Sequence, residues 1–144
     1  MSDAYTLIEG APAVADYRRL REVSGLSPKT QEAAERGLRG TLFAVTVAAG
    51  GRTIAMGRVI GDGGAFYQVV DMAVEPEHQG RGLGRRIFAA LMDWLHENAP
   101  NSAYVSLVAD GDARHLYAKF GFEPVMPASI GMARWIGGRP ARGT

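Results

Sequence analysis

The run Val69–Arg86, VVDMAVEPEHQGRGLGRR, narrows the folds open to this chain. It reads as an apolar strand, a turn at Glu75-Pro76-Glu77, and a glycine-rich loop that opens a helix. Gly80, Gly82 and Gly84 stand at alternate positions, so backbone N–H groups can converge on an anion without side-chain hindrance. The following helix adds the positive end of its dipole at the same place. Arg81, Arg85 and Arg86 bring cationic side chains to the rim. These features predict a pyrophosphate cradle at a strand–loop–helix junction. The plainer alternative is a surface turn with a charged rim.

Composition limits what else the chain can do. At 144 residues and 47% hydrophobic content, it is large enough for one domain with a real core. A net charge of +1 supplies no global field for nucleic acid. With no cysteine, disulfides, thiolate metal sites and a cysteine nucleophile are excluded. His78, His96 and His115 lack ligand spacing and are expected to be solvated, so no metal is expected. No apolar run approaches the roughly 20 residues that span a membrane. Met1–Ala4 lacks the basic and apolar regions of a signal peptide. A cytoplasmic location, with no membrane partner, is the expectation.

Periodicity places the elements. Tyr5–Ile8 suits a short strand. Pro12 opens a helix carrying Val14, Tyr17 and Leu20 at helical spacing, ended by Gly25. Ser27 as N-cap and Pro28 at the first position predict a second, polar helix to about Arg36. Leu42–Ala48, Thr53–Ile60 and Phe66–Val74 form an antiparallel meander, punctuated by Ala49-Gly50-Gly51 and Asp62-Gly63-Gly64. Leu83, Ile87, Leu91 and Leu95 give the helix Leu83–Glu97 a core-facing stripe, with Trp94 beside it as a packing residue. Ala103–Val108 is the next strand, and strand–helix–strand order implies a parallel pairing. Asp112 caps a helix Ala113–Phe120, closed by Gly121. Phe122–Met126 and Ile130–Ile136 read as two last strands. The tail, Gly137–Thr144, is expected to be disordered, leaving residues 1–136 as the single domain.

A P-loop would close on Gly-Lys-Ser/Thr, and a dinucleotide fingerprint would need G-x-G-x-x-G directly after the strand; neither is present. Gln79, Gly82 and Gly84 instead fit Q/R-x-x-G-x-G/A, and Val74–Glu77 fits its usual lead-in. Ala113-x-x-Leu116-Tyr117-x-x-x-Gly121-Phe122 fits a second segment, A-x-x-L-Y-x-x-x-G-F. Over roughly Leu42–Phe122 the chain therefore resembles the GCN5-related N-acetyltransferases (GNAT). That resemblance implies an α/β (α+β) fold. Its central sheet would be mixed but mostly antiparallel, with about seven strands and about four helices. It also implies acetyl-CoA as co-substrate, held by Gln79, Gly80, Arg81, Gly82, Leu83, Gly84 and Arg85. Backbone N–H groups of Met72, Ala73 and Val74 would stabilise the carbonyl oxygen. Asp110 stands where the family often has an asparagine that contacts the pantetheine.

The expected reaction is N-acetylation of a primary amine of a small molecule by direct attack in a ternary complex. Tyr117 would protonate the departing thiolate, since a phenol with a pKa near 10 can do so; its alternative role is helix-end packing. Asp71 is the first candidate for general base, because burial would raise its pKa. Its alternative is a paired or bulge-located carboxylate, and Glu22, Asp62 or a water chain are further routes. Arg21–Pro28 and Ala128–Met132 are the expected acceptor-cleft segments. The competing function is a non-catalytic acyl-CoA-binding sensor or interaction module. An exposed last strand would allow a homodimer.

Overall fold

The computed structural model describes residues 4–141. Five strands form one sheet in sequence order: β1 (Thr6–Glu9), β2 (Phe43–Ala49), β3 (Arg52–Gly61), β4 (Phe66–Val74) and β5 (Tyr104–Ser106). The first three pairings are antiparallel and β4–β5 is parallel, as the intervening helix requires. The expected seven strands are therefore five among the described residues. Phe122–Met126 and Ile130–Ile136 form no strand. Their alternation supplies propensity without a partner edge, and a strand is stabilised by its cross-strand pairs. Met126, Ile130, Met132 and Ile136 are left exposed. The expected tail is irregular as far as Ala141; its last three residues, like Met1–Asp3, lie outside the described residues.

Helices cover both faces. α3 (Leu83–Asn98) lays Leu83, Ile87, Phe88, Leu91 and Leu95 on one face, against Val45, Val59 and Val69. Trp94 stacks on Phe43, with centroids 5.4 Å apart, as a packing residue should. α1 (Val14–Val23) and α2 (Gln31–Arg39) cover the other face, where Tyr17, Leu20 and Ala34 meet Met56 and Ala73. α2 starts later than expected because Thr30 is its N-cap: the threonine side chain accepts from Ala33 N at 3.1 Å. Ser27 is occupied elsewhere, its carbonyl and hydroxyl both accepting from Arg21. α4 (Ala113–Ala118) carries Tyr117, without a side-chain cap from Asp112.

A bulge on β4 sets the rest of the geometry. Met56 pairs with Ala73 and Arg58 with Val70, so Gly57 faces both Asp71 and Met72. Asp71 takes φ 62°, in the left-handed region. The extra residue reverses the alternation. Tyr67 and Val69 face α3 before it, and Met72 and Val74 pack into that core after it. Asp71, which odd-numbered alternation would send toward α3, turns to the α1 face. Gly57 permits the arrangement: a Cβ there would lie 2.7 Å from both Ile87 Cγ2 and Met72 Sδ.

Gly57→Ala should therefore destabilise the fold by about 1–3 kcal/mol, the usual range for overpacking. Urea denaturation reads this directly. An unchanged midpoint would mean that α3 has slack over the bulge.

Candidate active site

Pairing between β4 and β5 stops at Gln68 and Ser106. From Val69 onward the β5 side of β4 has no strand beside it, and the two strands splay. The opening lies toward the end of β4 that feeds the glycine loop. A cleft of about 160 Å³ occupies it, lined by Val69–Met72, Leu107, Val108, Asp110 and Tyr117. A second cleft, of about 360 Å³, adjoins it on the α1–α2 face and shares Val69, Val70, Asp71 and Val108 with it. Tyr17, Arg21, Lys29 and Arg58 line this larger space.

The loop after β4 is tied down by side chains remote in sequence. Glu75 is buried and accepts from Arg19 and from Arg52 Nη2, the latter at 2.8 Å, joining α1 and β3 to the loop. Burial pushes its carboxyl up, but Arg52, Arg19 and His78 outweigh that and hold it below the ordinary range. Gln79 Nε2 donates to the Val74 carbonyl at 3.0 Å, closing the loop on the strand end. Tyr5 bridges His78 Nδ1 and Arg81 Nη1 at 2.9 and 3.0 Å. His78 is thus an anchored residue rather than a solvated one, while His96 and His115 are exposed. The one-turn 3-10 helix Pro76–His78 precedes Gly80 and Gly82, at φ 77° and 78°.

Gly82 is the N-cap of α3 and offers no side chain, so the first amides of the helix have no side-chain cap. Gly80 and Gly82 are glycines because of their positive φ. Gly84 is different: its φ is ordinary, and a Cβ there would meet nothing within 4 Å. Neither conformation nor packing asks for glycine at that position. The open space over the helix start fits the anion cradle that the sequence predicts. Arg85 lies over the Phe120 ring at 5.9 Å, bridging the cradle and the end of α4.

Tyr117 is 8% exposed; its ring packs 4.8 Å from that of Phe88, and the residue lines the splay. The packing role is thus observed, and the same position places the residue on the cleft. Burial, then the Asp110 carboxylate, raises the phenol above 10.0, so it stays protonated across the neutral range. Asp71 lines both clefts with its side chain only 6% exposed. Its Oδ2 accepts from Tyr17 OH at 3.0 Å and Arg58 Nε at 2.8 Å, and its Oδ1 from Arg21. Asp62 is far simpler: its carboxylate accepts from Gly64 N and Phe66 N within its own hairpin. Of the expected acceptor segments, Arg21 and Leu26 line the clefts, whereas Ala128–Met132 is exposed and lines neither. Lys29 and Arg58 had no sequence signal, because they come from the α1–α2 loop and from β3 and meet only around a cleft that the fold closes. Among the described residues no acidic or histidine group is arranged to hold a metal, and no helix is long and apolar enough to cross a membrane.

A strand splay followed by an uncapped, glycine-lined helix start can receive an extended ligand with an anionic end. Residues 40–124 match the model of the acetyltransferase (GNAT) domain, and the chain belongs to that family. A Staphylococcus aureus protein of unknown function, described as a probable acetyltransferase, is 45% identical in sequence. It superposes with a TM-score of 0.88 over 92% of this chain and 99% of that one. The crystal structure of a predicted acetyltransferase with acetyl-CoA from Clostridium acetobutylicum shares the fold at a TM-score of 0.70. Its identity is 18%, over 90% of this chain and 96% of that one. The N-alpha-acetyltransferase RimI of Mycobacterium tuberculosis is 37% identical over 60 residues, 41% of this chain and 36% of that protein. The match thus spans about a third of that relative's length.

Glu75 gives the loop a pH signature. Its folded pKa lies below the ordinary value of 4.5, so its contribution is complete above that value and is lost as the pH falls through it toward the folded pKa. Glu75→Gln should cost about 1–3 kcal/mol at neutral pH, and the gap to wild type should close on acidification. Denaturant titrations on both sides of that value measure this. A pH-independent gap would mean that the carboxylate charge contributes nothing.

Proposed function

We propose that the protein transfers an acetyl group from acetyl-CoA to a primary amine of a small molecule, by direct attack in a ternary complex. The observation that carries this reading is the splay of β4 from β5, lined by Tyr117 and opening toward the glycine loop. The thioester supplies an activated acyl carbon; the remaining tasks belong to the chain. Loop and first-turn amides from Gly80 to Arg85, with the Arg81 and Arg85 side chains at the rim, hold the pyrophosphate. Gln79 acts through the loop, which its side chain fastens to Val74. The unpaired edge of β4 around Met72, Ala73 and Val74 offers N–H groups to the carbonyl oxygen as charge develops there. Asp110 lines the splay, where the pantetheine would pass, and adds to burial in raising the pKa of the Tyr117 phenol. Tyr117 gives its proton to the departing thiolate.

Asp71 has a different task in this scheme from proton abstraction. Both of its oxygens already accept from Tyr17, Arg21 and Arg58, so it fixes the bulge that opens the splay. The amine loses its proton to solvent on entering a cleft lined by cations, since nearby like charge disfavours the ammonium form. Proximity then supplies a large part of the acceleration.

Two variants test the halves of this scheme. Gly84→Glu puts an acid in the first turn of α3, which should leave the fold as stable or raise it by up to about 1 kcal/mol through the helix dipole. The same charge opposes a pyrophosphate, so calorimetric affinity for acetyl-CoA should fall at least about tenfold. Unaltered binding would remove the cradle from the argument. Tyr117→Phe should lower kcat for free-thiol release by roughly 10²- to 10⁴-fold with little change in acetyl-CoA affinity. Acetyl-CoA binding by the wild type with no thiol release from any amine would favour a holding module instead.

A further inference from the structure

The two buried carboxylates on the α1 side of the sheet are balanced differently. Around Glu75, two arginines, Arg19 and Arg52, face two carboxylates, Glu75 and Asp16. Around the larger cleft, three cations, Arg21, Lys29 and Arg58, face Asp71 alone. Neutralising Asp71 needs one of them. A protein that collects surplus positive charge at a half-enclosed surface bears the repulsion between those groups.

The individual groups show where the surplus is directed. Arg21 is spent internally: Nε and Nη2 donate to Ser27 and Nη1 to Asp71. Arg58 is only partly spent. Its Nε donates to Asp71, and its Nη1 to Thr41 Oγ1 and the Gly37 carbonyl. Its Nη2 has no partner among the described residues, and none of their buried side-chain nitrogens lacks one, so Nη2 is open to the cleft. Lys29 forms no ion pair among the described residues; its ammonium lies 5.0 Å from the centre of the Trp135 ring. The backbone there is fixed, because Arg18 Nε donates to the Lys29 carbonyl at 2.9 Å. Burial first, then the neighbouring Arg21, lowers the Lys29 pKa, with Asp71 opposing.

Two cationic donors, Lys29 Nζ and Arg58 Nη2, therefore line a space that adjoins the splay, and its one carboxylate, Asp71, is already held by Tyr17, Arg21 and Arg58 Nε. We propose that the acceptor is an amine carrying its own anionic group, a carboxylate or a phosphate, held in this cleft by Lys29 and Arg58 while the amine reaches the splay. This inference rests on the transfer reading above. It assigns the anion to the acceptor rather than to acetyl-CoA, whose pyrophosphate belongs to the start of α3 after the far end of β4. Charge-assisted bonds from Lys and Arg to carboxylate or phosphate supply the affinity. The same cations raise the cost of the ammonium form of the bound amine, so one feature serves both binding and deprotonation. Polyamines, which present only positive charge, are excluded by repulsion.

Matched amines test it with thiol release as the readout. 4-Aminobutyrate is compared with 4-aminobutanamide, and 2-aminoethyl phosphate with 2-aminoethanol; the two pairs separate carboxylate from phosphate. The charged member of at least one pair should be favoured in kcat/KM by about tenfold or more, chiefly through KM, as expected for charge-assisted hydrogen bonds. In Lys29→Met that ratio should collapse toward one, and Lys29→Arg should restore part of it. Equal turnover of charged and neutral amines by the wild type would overturn the anion site and leave the transfer reading standing. So would a Lys29→Met variant whose loss lies in calorimetric acetyl-CoA affinity, because the cation would then serve the donor. Acetyl-CoA binding without thiol release from any of the four amines would overturn the transfer reading, and the acceptor assignment with it.

Discussion

The Asp71 carboxylate, clamped between Arg21, Arg58 and the Tyr17 hydroxyl, is the interaction on which the rest of the site depends. A non-glycine residue in the left-handed region is unfavourable by itself and persists only where its surroundings over-determine it. Here they do. The guanidinium of Arg58 comes from β3, that of Arg21 from α1, and both close on the one residue that interrupts the β4 ladder. Removing the carboxylate would leave two partly desolvated guanidiniums facing each other, a far worse state than the intact cluster. The strand is thereby held in a bulged form, and beyond Gln68 its β5 edge is free. A regular β4 would turn Asp71 into the α3 core and leave the α1-side clefts without their shared wall.

Charge is then sorted along the splay. At its far end the start of α3 has no side-chain cap, with Arg81 and Arg85 near it in the chain, the place proposed for the donor's pyrophosphate. Beside it, burial and then Asp110 raise the Tyr117 phenol further above neutral pH, consistent with the proton-donor role proposed for it. On the α1–α2 face the cations gather, with one carboxylate locked away as structure. Asp71 is committed to its three partners, and the other carboxylate lining these clefts, Asp110, lies beside the Tyr117 phenol; a cationic wall displaces an amine toward its neutral form. The constraint this places on an acceptor is severe, because a bare ammonium gains nothing from such a wall, whereas an amine with an anionic tail gains both anchorage and deprotonation.

Much of this architecture was legible in the sequence because it is encoded locally. β4 spans Phe66–Val74 as the apolar run suggests, and α3 starts at Leu83 where the glycine loop ends. Tyr117 stands at the splay, as the second motif implies. What failed was non-local. The bulge changes the face to which Asp71 belongs, and alternation counted along a strand cannot register an extra residue. The last two strands were inferred from propensity alone, in a segment that meets no free edge. Ser27 has the right chemistry for a cap, but Arg21 engages it first, and the helix waits for Thr30. Lys29 and Arg58 look like ordinary surface cations in a window of ten residues. Only the folding of α1, α2 and β3 around one cleft makes them neighbours.

Features that the fold itself does not use are the most informative about ligands. Gly57 is fully accounted for from inside, since Ile87, Leu91 and Met72 occupy the space a side chain would need. Gly84 has no such account: it gives up helix propensity, roughly 1 kcal/mol relative to alanine, at a position with open space around it. Lys29 and the free edge of Arg58 are the electrostatic counterpart: Lys29 is partly desolvated beside Arg21 and meets the Trp135 ring but no carboxylate in an ion pair, and Arg58 Nη2 has no partner among the described residues. Each unexplained cost lies beside the splay, one on the donor side and one on the acceptor side. A chain under no demand beyond stability would place alanine at 84 and a neutral residue at 29. On the proposed reading both costs have one purpose, since each faces an anion, one on each substrate, entering from opposite faces of the same gap.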